Sequence, residues 1–140
     1  MRLVLHEEKQ KLVATLYAHE QAGDKAAIAL NCYELGLLYQ EQGKLVQAVT
    51  MYRRSLALYE VLKDYPRVAA SYIKLGLLYK MRGDVGQSRF FLEEALAIYI
   101  EQEDPAGLAN TYGYSGSIRQ LEEDLSVIEE MYREALALNK

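Results

Sequence analysis

The sequence predicts an all-α fold in which helices stack into a solenoid, and three observations support this prediction. Residues 35–39 read Leu-Gly-Leu-Leu-Tyr, the same five residues return at 75–79, and a further step of forty reaches Gly116. The 140 residues include two prolines, so long helices are allowed. Alanine, leucine, glutamate and tyrosine dominate, and β-branched residues never run together as in a strand. A repeat of this length is typical of stacked helical units.

The forty-residue register divides the chain into one unpaired helix followed by three helical pairs. We predict a single domain with a half-repeat at 1–23 and full repeats at 24–63, 64–103 and 104–140. An aspartate recurs near the start of each full repeat and can cap a helix by accepting from free backbone N–H groups; these residues are Asp24, Asp64 and Asp104. The short linkers predict about seven antiparallel helices, at roughly 3–22, 25–42, 45–63, 65–82, 85–102, 105–121 and from a cap at Asp124 or Ser126 to 139.

Glycines mark two kinds of position in the repeats. Gly43 and Gly83 fall in the predicted turns, whereas the third repeat has Glu123 at that place. The glycine inside the five-residue motif stands in mid-helix, where it costs about 1 kcal/mol relative to alanine. Its recurrence therefore indicates a point at which a second helix approaches closely.

Composition argues against several classes of partner. The formal net charge is −4 at pH 7, whereas general nucleic-acid binding needs a basic face that displaces counterions. An anionic membrane surface is disfavoured for the same reason. Apolar runs stay well short of the ~20 residues of a membrane-spanning helix, and the first eight residues turn charged too soon for a signal peptide. The single cysteine indicates a reducing, cytoplasmic setting.

The sequence shows no constellation typical of a catalytic or metal site. His6 and His19 lie outside the frames of zinc and di-iron helices, so we interpret them as surface residues. Cys32 occupies a predicted buried helix position and is interpreted as an inert thiol. The glycines are not followed by the Gly-Lys-Ser/Thr of a phosphate loop. We therefore predict a non-enzyme without cofactor or metal.

The repeated residues resemble the tetratricopeptide repeat (TPR) family. In each unit that family places a bulky residue, Leu-Gly and Tyr in helix A, then a turn glycine, an alanine, an aromatic residue and Ala-Leu in helix B. The first unit supplies Cys32, Leu35, Gly36, Tyr39, Gly43, Ala48, Tyr52, Ser55 and Leu56, and the second supplies Tyr72, Leu75, Gly76, Tyr79, Gly83, Ser88, Leu92, Ala95 and Leu96. The third keeps Tyr112, Gly116, Tyr132, Ala135 and Leu136, and departs at Ser115, Arg119, Glu123 and Ile128. The forty-residue period is similar to that of kinesin light chains, Pins-type polarity scaffolds and bacterial peptide-sensing regulators.

The resemblance implies a right-handed superhelix whose A helices line a concave, peptide-binding groove. Mapped onto this chain, the groove positions are Tyr33, Glu34, Leu37, Gln40, Ile73, Lys74, Leu77, Lys80, Asn110, Tyr114 and Ser117. A helix or extended peptide with apolar anchors fits such a surface. The alternative is that several of these residues pack against the neighbouring repeat while the charges only solvate a face.

Three functional hypotheses follow. The first is a non-catalytic module that binds a peptide or helix of a protein partner in the groove. The second is a unit that self-assembles into a homo-oligomer through uncapped solenoid ends or through the small residues at 113–117. The third, an enzyme, requires a set of catalytic groups in the groove that the sequence does not show.

Overall fold

The computed structural model describes the backbone of residues 2–138, and the side chains of 4–137 except 121, 128, 132 and 135. Helices account for almost all of this range, and each helix packs against the next in the chain. They are α1 (Arg2–Ala22), α2 (Lys25–Glu41), α3 (Leu45–Leu62), α4 (Tyr65–Met81), α5 (Val85–Glu101) and α6 (Pro105–Leu138). The all-α prediction is confirmed, and the first five helices agree with their predicted bounds to within one residue.

The predicted caps and turns are present. Four aspartates accept a hydrogen bond from the backbone N–H three residues later, as an N-cap does; they are Asp24 (3.2 Å), Asp64 (3.4 Å), Asp84 (3.1 Å) and Asp104 (3.1 Å). Gly43 and Gly83 have φ values of 74° and 83°, in the left-handed region that glycine enters without steric cost. The chain therefore reverses between α2 and α3, and again between α4 and α5, where the sequence predicts.

The helices of each pair meet closely at the mid-helix glycine. A methyl group at Gly36 would lie 2.6 Å from the Tyr52 ring, and one at Gly76 would lie 2.9 Å from Cγ of Leu92. Both separations are shorter than van der Waals contact, so a larger residue would push α2 from α3 and α4 from α5. The predicted close approach is confirmed for these two pairs.

Buried serines reinforce the two contacts. Ser55 Oγ donates to the Ala29 carbonyl at 2.8 Å, and Ser88 Oγ donates to the Gly76 carbonyl at 2.6 Å. Both serine side chains are fully buried, where an unpaired hydroxyl would be costly. Each bond fixes the height of a B helix along its A helix.

Arg53 and Glu60 of α3 join the first helical pair to aromatic residues of the second. Tyr79 and Phe91 stack with centroids 5.5 Å apart, and the Arg53 guanidinium lies over both rings and donates to the Tyr79 hydroxyl at 2.6 Å. Tyr72 OH donates to Glu60 Oε1 at 3.0 Å. Burial, assisted by this hydrogen bond, raises the pKa of Tyr72 to about 12.

The structure corrects the prediction of a seventh helix, because the last two predicted helices form one. α6 continues through 122–124, where the turn of a third helical pair was expected, so the described residues contain six helices. The turn glycine is replaced by Glu123, and Gln120 Nε2 donates to Asp124 Oδ1 at 3.1 Å across the predicted break. Asp124 and Ser126 are able to start a helix, but nothing before them ends one.

The continuous α6 leaves Gly116 without the partner that Gly36 and Gly76 have. In the described part of the chain, no atom outside its own helix backbone lies within 4 Å of a methyl group placed there. Position 132, which follows Tyr52 and Leu92 in the register, is sixteen residues further along the same helix, about 24 Å at 1.5 Å per residue.

We expect Gly36→Ala to lower the free energy of unfolding by about 1–3 kcal/mol, because the added methyl overpacks the Tyr52 ring. Gly113→Ala is the matched control, since its methyl meets none of the described atoms within 4 Å. It should raise stability by about 1 kcal/mol through helix propensity. Urea unfolding followed by circular dichroism measures both, and equal effects of the two substitutions would contradict the close-approach argument.

A second prediction concerns alkaline pH. Between about pH 10 and 12 Tyr72 stays protonated in the folded state, while an unfolded tyrosine ionises near pH 10. The unfolded chain then binds fewer protons, so stability falls as pH rises through this window. Tyr72→Phe removes this contribution, and its melting temperature should fall less steeply with pH than that of the wild type. Tyr17→Phe, a change at an exposed side chain, should follow the wild-type slope; the same slope for Tyr72→Phe would refute the assignment.

Candidate functional site

The helices predicted as A helices form the surface on which the candidate site is built. We call the surface of α2, α4 and residues 105–121 of α6 the A-helix face. Each of these helices is positioned by its cap and, for α2 and α4, by the glycine contact to its B helix. Some positions predicted as groove residues are therefore held by packing within the pair and others remain accessible.

A cavity of about 190 Å³ opens between α2 and α4 on this face. Its lining is aliphatic and aromatic apart from one guanidinium, and consists of Leu30, Tyr33, Tyr59, Arg67 and Ala70. Tyr33 is fixed by an edge-to-face contact with Tyr52, with centroids 5.5 Å apart. Tyr59 is 3 % exposed, whereas Leu30 is 46 % exposed. The cavity is thus a rigid apolar recess with one accessible aliphatic wall.

The charge at this cavity comes from Arg67. Its guanidinium lies over the Tyr59 ring and pairs with Asp64 at 2.8 Å. Burial raises the pKa of Tyr33 and of Tyr59 above their ordinary values. Both phenols therefore remain neutral at physiological pH.

The predicted residues Glu34 and Leu37 line a different cavity. It holds about 370 Å³ between α1 and α2, and its lining is Glu8, Lys11, Leu12, Glu34, Leu37, Leu38 and Glu41. Leu37 also packs against the hydrophobic core. This cavity lies between α1 and the A helix α2, and not between two A helices.

The other predicted residues divide between packed and accessible positions. Gln40 Oε1 accepts a hydrogen bond from Tyr52 OH at 3.1 Å, which ties it to the α2–α3 contact. The predicted residues of α4, which are Ile73, Lys74, Leu77 and Lys80, are half-buried. Those of α6, which are Asn110, Tyr114 and Ser117, are exposed. The assignment of these residues to a binding groove stays a prediction.

Sequence reasoning missed Tyr59 and Arg67. Tyr59 lies at the end of α3 and Arg67 in the first turn of α4, whereas the predicted groove positions were taken from the middle of the A helices. A signal was present, because Tyr59 recurs forty residues later as Tyr99. A recurring tyrosine at the end of helix B indicates a fixed contact with the next A helix.

The Cys32 thiol is the next candidate for a reactive group. Cys32 is fully buried, and burial raises the pKa of its thiol against the opposing effect of nearby Arg54. A protonated, enclosed thiol is a poor nucleophile, which agrees with its interpretation as inert. Among the described residues, potential metal ligands do not gather in groups of three or more. None of the described helices combines the length and apolar character needed to cross a membrane.

Comparison with solved structures places the fold among known helical repeats. BtubC (BKLC) from P. vanneervenii is similar over 97 % of this chain, with a TM-score of 0.78 and 24 % identity, and this chain spans 58 % of that protein's length. The nearly identical TPR-like repeats of a P. anserina protein described as a kinesin light chain are similar over 94 % of this chain and 68 % of theirs. Their TM-score is 0.63 and their identity 20 %. No curated protein sequence matches the chain.

The sequence pattern of the tetratricopeptide repeat family matches residues 25–101, more than half of the chain. The matched range covers α2 to α5, the two complete helical pairs with their glycine contacts. Repeats of this family commonly mediate interactions between proteins and are generally non-catalytic. The chain belongs to the tetratricopeptide repeat family.

Proposed function

We propose that the protein is a non-catalytic binding module that holds a segment of a partner protein on the A-helix face, with one apolar side chain of that segment in the cavity between α2 and α4. The observation that supports this proposal best is the cavity itself, which combines an apolar lining with an open mouth. An apolar cavity of about 150 Å³ already accommodates a benzene molecule. A volume of about 190 Å³ suits one leucine, methionine or phenylalanine side chain.

The charges on the A-helix face indicate that the partner segment is acidic. α4 and residues 105–121 of α6 carry Lys74, Lys80 and Arg119 and no acidic residue, while Arg67 is paired with Asp64 at 2.8 Å. The chain as a whole carries a net charge of −4. This local excess of positive charge favours a segment with aspartate or glutamate near its apolar anchor.

We expect the apolar anchor and the ion pairs to contribute unequally to the free energy of binding. Complete burial of an aliphatic or aromatic anchor contributes about 1.5–3 kcal/mol. An exposed ion pair contributes about 1 kcal/mol or less and weakens with salt. The anchor therefore supplies more of the affinity, while the cations select acidic neighbours and orient the segment. A cytoplasmic setting and the absence of nucleic-acid and membrane partners remain part of this proposal.

The test is a selection from a random library of 15-residue peptides, with affinities of the selected peptides measured by fluorescence polarisation. We expect enrichment of Leu, Met or Phe beside Asp or Glu. Leu30→Asp places a carboxylate in the cavity wall and should weaken binding at least tenfold, a change of about 1.4 kcal/mol. Val46→Asp is the matched control, since Val46 is 63 % exposed on α3 and lies outside this cavity.

The charge component is tested with the same peptides. Lys74→Glu with Lys80→Glu should weaken binding and flatten its dependence on salt, because fewer opposite charges remain to be screened. Lys11→Glu with Lys44→Glu makes the same change in net charge at two exposed residues outside the A-helix face and should leave affinity within twofold. Peptides that bind Leu30→Asp as tightly as the wild type would contradict the proposal, as would a library from which the wild type retains nothing.

A further inference from the structure

Residues 105–121 of α6 present a face that is covered in the other A helices. Ala109, Tyr112 and Gly116 are exposed, with Tyr112 at 51 %. Forty and eighty residues earlier, the register positions are Ala69, Tyr72 and Gly76, and Ala29, Cys32 and Gly36. Five of these six are buried against their B helices and Tyr72 is half-buried. The face of α6 that should receive a B helix is therefore open.

The second half of α6, residues 125–138, has the register positions of a B helix, the helix that packs on an A helix in each complete pair. Leu125, Met131 and Leu136 are 45 %, 63 % and 64 % exposed. Each has two register counterparts: Leu45, Phe91 and Leu56 belong to the hydrophobic core or pack against it, and Val85, Met51 and Leu96 are half-buried. The side chains of Leu125, Met131 and Leu136 thus occupy apolar positions of a B helix and are exposed.

These two open faces suit one another, since the same positions pack together in α2 with α3 and in α4 with α5. They cannot meet within one straight helix, because Gly116 and position 132 lie about 24 Å apart along it. A second copy removes this obstacle. If two α6 helices lie antiparallel and cross near Asp124, each first half receives the second half of the other copy.

We propose that two copies of the chain associate by exchanging the second halves of α6, so that residues 125–138 of each serve as helix B for residues 105–121 of the other. Such exchange of identical elements forms a closed, symmetric dimer without any new kind of contact. Glu123 takes the place of the turn glycines Gly43 and Gly83 at the point where the helix would otherwise reverse. The inference goes beyond the peptide-binding proposal and does not rest on it, because its contact positions 109, 112 and 116 lie on a different side of α6 from the predicted groove positions 110, 114 and 117.

Light scattering at about 100 μM, within the range where exposed apolar surface associates, is the first test. We expect twice the mass of a single chain for the wild type and a single-chain mass for Met131→Glu with Leu136→Glu. Val127→Glu is the control: Val127 is 56 % exposed, but its register counterparts Gln47 and Gln87 are exposed in complete pairs, so this variant should remain a dimer. A monomeric wild type, or a dimer that survives the double substitution, would overturn the proposal.

Disulfide trapping identifies the surfaces in contact. In the proposed antiparallel dimer, position 112 of one copy faces position 136 of the other. This pair lies about one helical turn from the pair formed by positions 116 and 132. A mixture of Tyr112→Cys chains and Leu136→Cys chains should give a covalent dimer with one chain of each kind on oxidation. A dimer without this cross-link would overturn the exchange. Loss of the dimer in Lys74→Glu with Lys80→Glu would also overturn it, by placing the contact on α4.

Glu123→Gly tests the hinge without changing either apolar face. Glycine restores the residue type that permits the left-handed turn in the first two pairs, so each α6 should fold back on itself. We expect the dimer fraction to fall while helix content by circular dichroism stays close to that of the wild type. An unchanged dimer fraction would show that continuity of α6 at 123 is not what joins the copies, and would overturn the proposal.

Discussion

The contact of a large side chain with a mid-helix glycine sets the geometry on which this structure depends. Tyr52 against Gly36 and Leu92 against Gly76 fix how closely each B helix approaches its A helix. The buried serine bonds then set the relative height of the helices. Because Tyr52 also holds Tyr33 and binds Gln40, the same contact shapes the cavity between α2 and α4. The glycine contact inside the first pair therefore also determines the shape of the cavity on the A-helix face.

Much of the fold could be predicted because the relevant chemistry is local. An aspartate before an apolar stretch caps a helix whatever follows it, and glycine at 43 or 83 admits the left-handed turn with no help from the rest of the chain. The wrong prediction of a break within α6 also came from local chemistry. Asp124 and Ser126 indicate where a helix is able to start, but ending the preceding helix is a separate requirement that Glu123 does not meet.

The site was less predictable, because its walls come from different elements. The repeat register located Tyr33 on the accessible side of α2, and the structure brings it beside Tyr59 and Arg67, two residues at helix ends that a mid-helix register does not include. The register also grouped Glu34 and Leu37 with Tyr33, but Glu34 points about 100° away from Tyr33 around the helix, and Leu37 lies about one turn further along α2. They line the cavity beside α1 instead. The cations of α4 could be identified without the structure, because the charges along a helix are visible in the sequence.

A double-mutant cycle shows whether the Tyr52 ring is what requires glycine at position 36; urea unfolding gives the stability of Gly36→Ala, Tyr52→Ala and the double variant. If the Tyr52 ring is the reason for glycine at 36, the methyl group costs stability only while the ring is present. We expect a coupling free energy of about 0.5–3 kcal/mol between the two substitutions, as found for residues in contact. Additivity of the two substitutions to within about 0.5 kcal/mol would contradict it.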